Sequence, residues 1–255
     1  MTTNCEIKPE YQGQETALRN LIANFTTWGE DFFRGDRNVL KTFQLDSGKV
    51  VNVKSFRRPN LVNRIVYKFF RQPKASRSFQ YSRQLLDYGI KVPQPIAFFE
   101  NFNSYSITES YYISEQIYPD IHFLKLLLSP GDPRYDDVVR HFAGLAYRMH
   151  ENGIEFKDFS PGNVLVMVRE NGYDFYLVDL NRMSFHEEIS LEKRLKNFER
   201  LPPDERLIRI ISEEYARLMR KSFDEIYKGI AGATHAFRMK FELRRKMKFW
   251  KRWKR

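Results

Sequence analysis

Gly153-Ile-Glu-Phe-Lys-Asp158-Phe-Ser-Pro-Gly-Asn163-Val-Leu-Val, continued by Tyr176-Leu-Val-Asp179-Leu-Asn, is the stretch that decides the fold. Residues 135–151 before it repeat apolar side chains at helical spacing and end at Asn152-Gly153, a helix stop. After it, 164–168 and 173–178 read as two short strands turned at Glu170-Asn-Gly172. The order is therefore helix, loop, strand, turn, strand, with Asp158 and Asn163 on the loop and Asp179 just past the second strand. Taken one at a time these are bland residues, because Pro, Gly, Asn and Asp all favour turns. Taken together they supply one carboxylate beside a loop and two further hard oxygen donors, the type that Mg²⁺ prefers.

The D-x-x-x-x-N spacing, followed by strand, turn, strand and Asp, matches the catalytic machinery of protein kinases. Phosphoryl transfer needs a carboxylate that orients the attacking hydroxyl and accepts its proton, and Asp158 suits that role. It also needs oxygen ligands that hold Mg²⁺ against the phosphates, and Asn163 and Asp179 suit that one. Upstream, Val51-Asn-Val-Lys54 is similar to the V-A-I-K strand whose lysine contacts nucleotide phosphates.

Working outward, 38–45 and 49–56 read as a hairpin around Asp46-Ser47-Gly48. Residues 59–71, with Leu61, Ile65 and Phe69 in one row and Val62, Val66 and Phe70 in another, predict an amphipathic basic helix. A second helix is expected over 74–88, stopped by Gly89, then strands at 96–99 and 105–117. Past Pro119 the pattern turns helical: 122–128, 135–151, and nearly everything from Leu191 onward. The expected fold class is α+β, a protein-kinase-like bilobal fold. Residues 1–118 form a small, mainly β lobe with helices, and 119–255 a larger helical lobe carrying the catalytic loop and a basic tail.

Composition narrows the class. With 255 residues and 42% apolar content the chain can build a sizeable core. No apolar run reaches the roughly 20 residues of a membrane span, and the start lacks the basic flank and apolar stretch of a signal peptide. Cys5 is the single cysteine, so a thiolate zinc site is unsupported and a reducing, cytoplasmic setting is expected. The five histidines show no ligand spacing. The net charge of +11 is concentrated: Arg238 to Arg255 carries +9, Lys54 to Arg83 carries another +9, and the remainder is −7. Two basic zones on an acidic body predict defined anionic partners.

The chain resembles the lipopolysaccharide kinases, the Kdo and heptose kinases of the protein-kinase-like superfamily. The resemblance spans about residues 35–220. It is carried by Lys-Asp158-Phe-Ser-Pro-Gly-Asn163-Val-Leu, by Leu-Val-Asp179-Leu-Asn-Arg182-Met, and by the run from Ser78 through Gly89 and Pro93 to Pro95. It implies ATP-dependent phosphorylation of a sugar hydroxyl on a lipopolysaccharide inner-core or lipid A precursor, at the cytoplasmic face of the inner membrane. By this likeness Lys54 holds nucleotide phosphates, Asp158 is the base, Asn163 and Asp179 bind Mg²⁺, and Glu115 to Ile117 form the hinge beside adenine.

Three positions depart from the kinase pattern. Gln80 falls where a Glu partner for the nucleotide lysine is expected, Phe156 where the catalytic loop often has His, and Asn181 where D-F-G has Gly. No G-x-G-x-x-G is present, so 29–38 is expected to be a different phosphate-covering loop. The competing readings are a kinase of other specificity, for proteins or small molecules, and a non-catalytic kinase-fold scaffold for lipid or nucleic acid. In the tail, Met239, Leu243, Met247, Trp250 and Trp253 share one helical face beside ten basic residues. That pattern predicts a helix lying on an anionic membrane surface, with a lipid-linked saccharide as substrate. Nucleic acid is the less favoured partner.

Overall fold

The computed structural model describes residues 2–35, 38–57, 72–104 and 106–253, without the side chains of 248, 249 and 251–253. The expected basic helix at 59–71 lies outside the described residues. Two compact units result: Met1–Tyr118 together with Asp179–Asn181, and Pro119–Val178 together with Arg182–Arg255.

The first unit is built on a six-stranded antiparallel sheet. Its strands are β1 (Thr2–Ile7), β2 (Glu30–Arg34), β3 (Asn38–Gln44), β4 (Val50–Phe56), β5 (Pro95–Phe102) and β6 (Ile107–Glu115). They lie in the order β1-β5-β6-β4-β3-β2. The β3–β4 hairpin pairs Gln44 with Val50 across its turn, where Gly48 adopts φ 79°. Strand alternation then separates two cores. Val51 and Val53 point into a cluster with Leu18, Leu21 and Phe25 from helix α1 (Glu15–Ala23) and its end. Phe56 points the other way, against Ala75 and Phe79 of helix α2 (Lys74–Asp87). The expected phosphate-covering loop is largely a strand: β2 pairs with β3 as an edge, through a bulge between Asp31 and Phe33. β1 and α1 carry no motif in the sequence, and only the structure reveals them.

The second unit is mainly helical. It holds α3 (Phe123–Leu127), α4 (Tyr135–Glu151), α5 (Leu191–Lys196), α6 (Glu205–Met219) and α7 (Phe223–Trp253). Small sheets complete it. β7 (Ile121–His122), β9 (Val164–Arg169) and β10 (Gly172–Leu177) form one, and β8 (Ile154–Phe156) with β11 (Met183–Phe185) the other. α4 is the core element, burying Val138, Val139, Phe142, Leu145 and Met149. α6 starts with Asp204, whose carboxylate accepts from the Leu207 N–H at 2.8 Å, a capped N-terminus.

Candidate active site

In the second unit, β8 delivers the chain into the loop that carries Asp158. Phe156, the position where kinases often have His, is fully buried here, and so is Phe159 on the other side of Asp158. Phe159 stacks on Phe142 of α4 at 4.9 Å between centroids. Two buried rings thus clamp the loop and leave Asp158 between them to face outward. The Phe156 carbonyl accepts from Asn197 Nδ2 at 2.8 Å. The Asn197 Oδ1 in turn accepts from His150 Nε2 at 3.1 Å, and His150 Nδ1 accepts from the Tyr215 hydroxyl at 2.7 Å. This chain of bonds fixes the imidazole as one neutral tautomer. Burial pushes its pKa down to about 4, although the Asn197 bond works against that.

Asn163 closes the loop. Its Nδ2 donates to the Asp158 carbonyl at 2.8 Å, and its own carbonyl accepts from the Val178 N–H at 3.0 Å. The side-chain amide is therefore oriented by the backbone it serves. The Asp158 carboxylate meets two cations that no sequence motif marks. Arg200 Nη1 lies 2.9 Å from Oδ1, and Arg182 Nη1 lies 3.7 Å from Oδ2.

In the first unit, Lys54 lies on the α2 face of the sheet, next to Phe56 and opposite Tyr112 on β6. Its side chain is only 12% exposed, and Nζ sits 2.5 Å from Asp179 Oδ1. Two residues 125 positions apart, singled out for phosphate and metal, are therefore adjacent. Asp179 has φ 59°, a left-handed conformation that Asp and Asn tolerate better than most residues. Asn181 Nδ2 donates to the same Oδ1 at 2.6 Å. The Asn in the glycine place of D-F-G thus acts on the carboxylate directly.

Gln80 does not join this group. It is exposed on α2, whose buried polar residues are Ser76, Arg77, Ser78 and Ser82. The Ser82 hydroxyl bonds the Tyr112 hydroxyl at 2.8 Å. No acid lies on the buried face of α2, so the carboxylate beside Lys54 is Asp179 rather than one from the helix. Glu115 ends β6, where its N–H donates to the Gln94 carbonyl and its carboxylate pairs with Lys49 at 2.9 Å. The Ile117 carbonyl accepts from Gln116 Nε2 at 2.8 Å. The Gln116 N–H donates to Val50, so the strand-end segment is tied to β4.

Asp179 and Asn163 present carboxylate and amide oxygens, donors of the hard type Mg²⁺ takes. Among the described residues there is no group of three His, Cys, Asp or Glu gathered for a metal. A kinase-type ion takes a carboxylate, an amide oxygen and phosphate oxygens, and Asp179 in the first unit and Asn163 in the second are each a donor of that type.

The model of the lipopolysaccharide kinase (Kdo/WaaP) family matches residues 45–221. No curated protein matches the chain. Among solved structures, WaaP in complex with acyl carrier protein aligns with a TM-score of 0.65 at 17% identity, covering 94% of this chain and 98% of that one. The Rio2 kinase–ADP/Mg²⁺–phosphoaspartate complex from Chaetomium thermophilum aligns with a TM-score of 0.48 at 15% identity, covering 87% and 67% respectively.

Proposed function

The chain belongs to the lipopolysaccharide kinase (Kdo/WaaP) family, and from that premise we propose that it uses Mg-ATP to phosphorylate a sugar hydroxyl of a lipopolysaccharide inner-core precursor. The observation that carries this reading is the Lys54–Asp179 pair, two distant residues with phosphate- and metal-binding chemistry held at 2.5 Å.

Lys54 would hold the nucleotide phosphates, and Asp179, whose carboxylate already lies beside Lys54, would be a ligand of the metal. Asp158 orients the acceptor hydroxyl and takes its proton as the oxygen attacks phosphorus and the bond to the leaving phosphate breaks. Asn163 would offer its amide oxygen to the metal, while its NH₂ group keeps the Asp158 backbone in place. Bound Mg²⁺ supplies charge neutralisation along the phosphates. Glu115 and Ile117 contribute backbone groups beside adenine. Gln80, being exposed, has no part in this scheme.

The test is phosphoryl transfer from ATP to a rough-type lipopolysaccharide extract, with and without Mg²⁺. Asp158→Asn keeps the side-chain shape but removes the base, so turnover falls by about 10²–10⁴-fold with nucleotide affinity little changed. Asp179→Asn weakens nucleotide affinity and Mg²⁺ dependence together. Near wild-type turnover in Asp158→Asn overturns the assignment and favours a scaffold.

The tail helix supports a membrane-surface location for this activity. Met239, Leu243, Met247 and Trp250 are all exposed on α7 among dense Lys and Arg. No helix among the described residues is long and apolar enough to cross a membrane. Phe241, also exposed, stands on the opposite side of the same helix. That favours a second reading, a protein partner on α7, and the WaaP relative is itself in complex with acyl carrier protein.

A further inference from the structure

Between Asp158 and Asn163 the loop has no Lys or Arg. A bare carboxylate at that point is free to rotate and repels an approaching phosphoryl group. Arg200 fills the gap from outside the loop. Its backbone is anchored between Phe198 and Leu201, both buried, and its side chain is restrained at three points. Nε donates to the Lys157 carbonyl at 3.0 Å, Nη1 meets Asp158 Oδ1 at 2.9 Å, and the guanidinium lies over the Phe237 ring of α7 at 5.1 Å. With its side chain 26% exposed, this is no loosely held surface pair. Arg182, half exposed and 3.7 Å from the other carboxylate oxygen, is the weaker arm.

We infer that Arg200 is the positioning residue of Asp158, supplying from the α5–α6 connection a cation that the stretch between Asp158 and Asn163 lacks. The inference rests on the reading of Asp158 as the base. The planar fork matters: one guanidinium bonds the Lys157 carbonyl and the Asp158 carboxylate at once, fixing the angle between the loop backbone and the base. A lysine has a single terminal nitrogen and holds only one of them. The third restraint, Phe237, links this fork to the helix that continues into the basic tail.

The experiment is a double-mutant cycle on full-length protein, reading ATP-dependent phosphorylation of a rough-type lipopolysaccharide extract. Arg200→Met, which retains stem volume over Phe237, is expected to lower kcat on the order of 10- to 100-fold. KM for ATP and for the extract should stay within about twofold. Arg200→Lys should recover part of the loss, and added guanidinium ion should partly rescue Arg200→Met. In an Asp158→Asn background Arg200→Met should cost nothing further, because its effect passes through the base. An equal loss in both backgrounds overturns the inference, as does a change confined to either KM, which would make Arg200 a direct substrate contact. If Arg200→Met does not fold, Arg200→Lys carries the same cycle, and unaltered kcat there overturns the inference. Undiminished turnover in Asp158→Asn alone would instead remove the reading on which the inference stands.

Discussion

His150 shows how a single buried titratable group ties stability to the loop that carries Asp158. It is 1% exposed and passes its hydrogen bonds through Asn197 to the Phe156 carbonyl. Folding holds the imidazole neutral with a pKa of about 4, against about 6.5 in the unfolded chain. Desolvation is the main cause. The neighbouring Arg194 adds to it, while the Asn197 bond and the nearby Glu151 and Glu155 oppose it. The sign follows: the unfolded chain takes up a proton between pH 6.5 and 4 that the folded chain refuses. Stability from this residue is complete above about pH 6.5 and declines as pH falls toward 4. Between pH 7 and pH 5 the loss is about 2 kcal/mol. Urea unfolding at the two pH values measures it. His150→Gln, which keeps two hydrogen-bonding ends without titrating, should remove most of the pH-dependent part; an unchanged pH dependence would assign it elsewhere. At this scale motif order and spacing single out Lys54, Asp158, Asn163 and Asp179, and the structure sets Lys54 against Asp179 and the Asn163 amide against the Asp158 carbonyl. The sequence is silent on Arg200, because that residue reaches Asp158 through tertiary packing across about 40 residues with no pattern to mark it. Gln80 faces solvent rather than Lys54, because burial of Phe79 and Ser82 sets the facing of the helix.

Strand β8 and its partner β11 form the element on which the catalytic loop hangs. Gly153 leads into β8 with φ 70°, and its carbonyl accepts from the His186 N–H at 2.9 Å. A Cβ at this position would lie 1.9 Å from the His186 carbonyl oxygen, which is backbone and cannot rotate away. Gly153→Ala therefore meets both a collision and an unfavourable φ. We expect a loss of at least about 2 kcal/mol in unfolding free energy. Phosphoryl transfer should fall with it, because β8 places Asp158. A variant as stable as the parent would show that this strand entry can relax. Elements with strong local signals were readable beforehand. The β3–β4 hairpin has turn chemistry at Asp46-Ser47-Gly48, and α4 has an unbroken apolar stripe that the structure matches over Tyr135–Glu151. β2 carries no strand signal in the sequence because all five of its residues are exposed, so no in-out alternation betrays an edge strand. β1 exposes its first half and likewise depends on a partner, β5, for its existence.

At the scale of the whole molecule, charge is concentrated rather than spread. α7 runs 31 residues. Its first part is anchored in the second unit by Ile226, Ile230 and Thr234, while the basic part beyond Phe237 shows exposed Met, Leu and Trp. Deleting residues 238–255 spares the buried anchor. It should release the protein from anionic vesicles, since each basic residue close to such a surface contributes about 1 kcal/mol, while ATP binding persists. Co-sedimentation at low and high salt reads this out. Equal pelleting of full-length and shortened protein refutes membrane docking and leaves the protein-partner reading of α7. The α+β kinase-like class was legible in the order of strands and helices, whereas the grouping of Asp179–Asn181 with the first unit, where Asp179 meets Lys54, has no trace in local sequence.

The central claim is chemical: the chain adds one phosphate to an inner-core sugar, through Asp158. Mass spectrometry of lipid A–core precursors from cells with this protein, without it, and with only its Asp158→Asn variant tests that claim most directly. The account predicts a mass greater by one phosphate in the first case alone, with the variant matching the cells that lack the protein. Identical precursor masses in all three, or a phosphate still added by the Asp158→Asn variant, would contradict it.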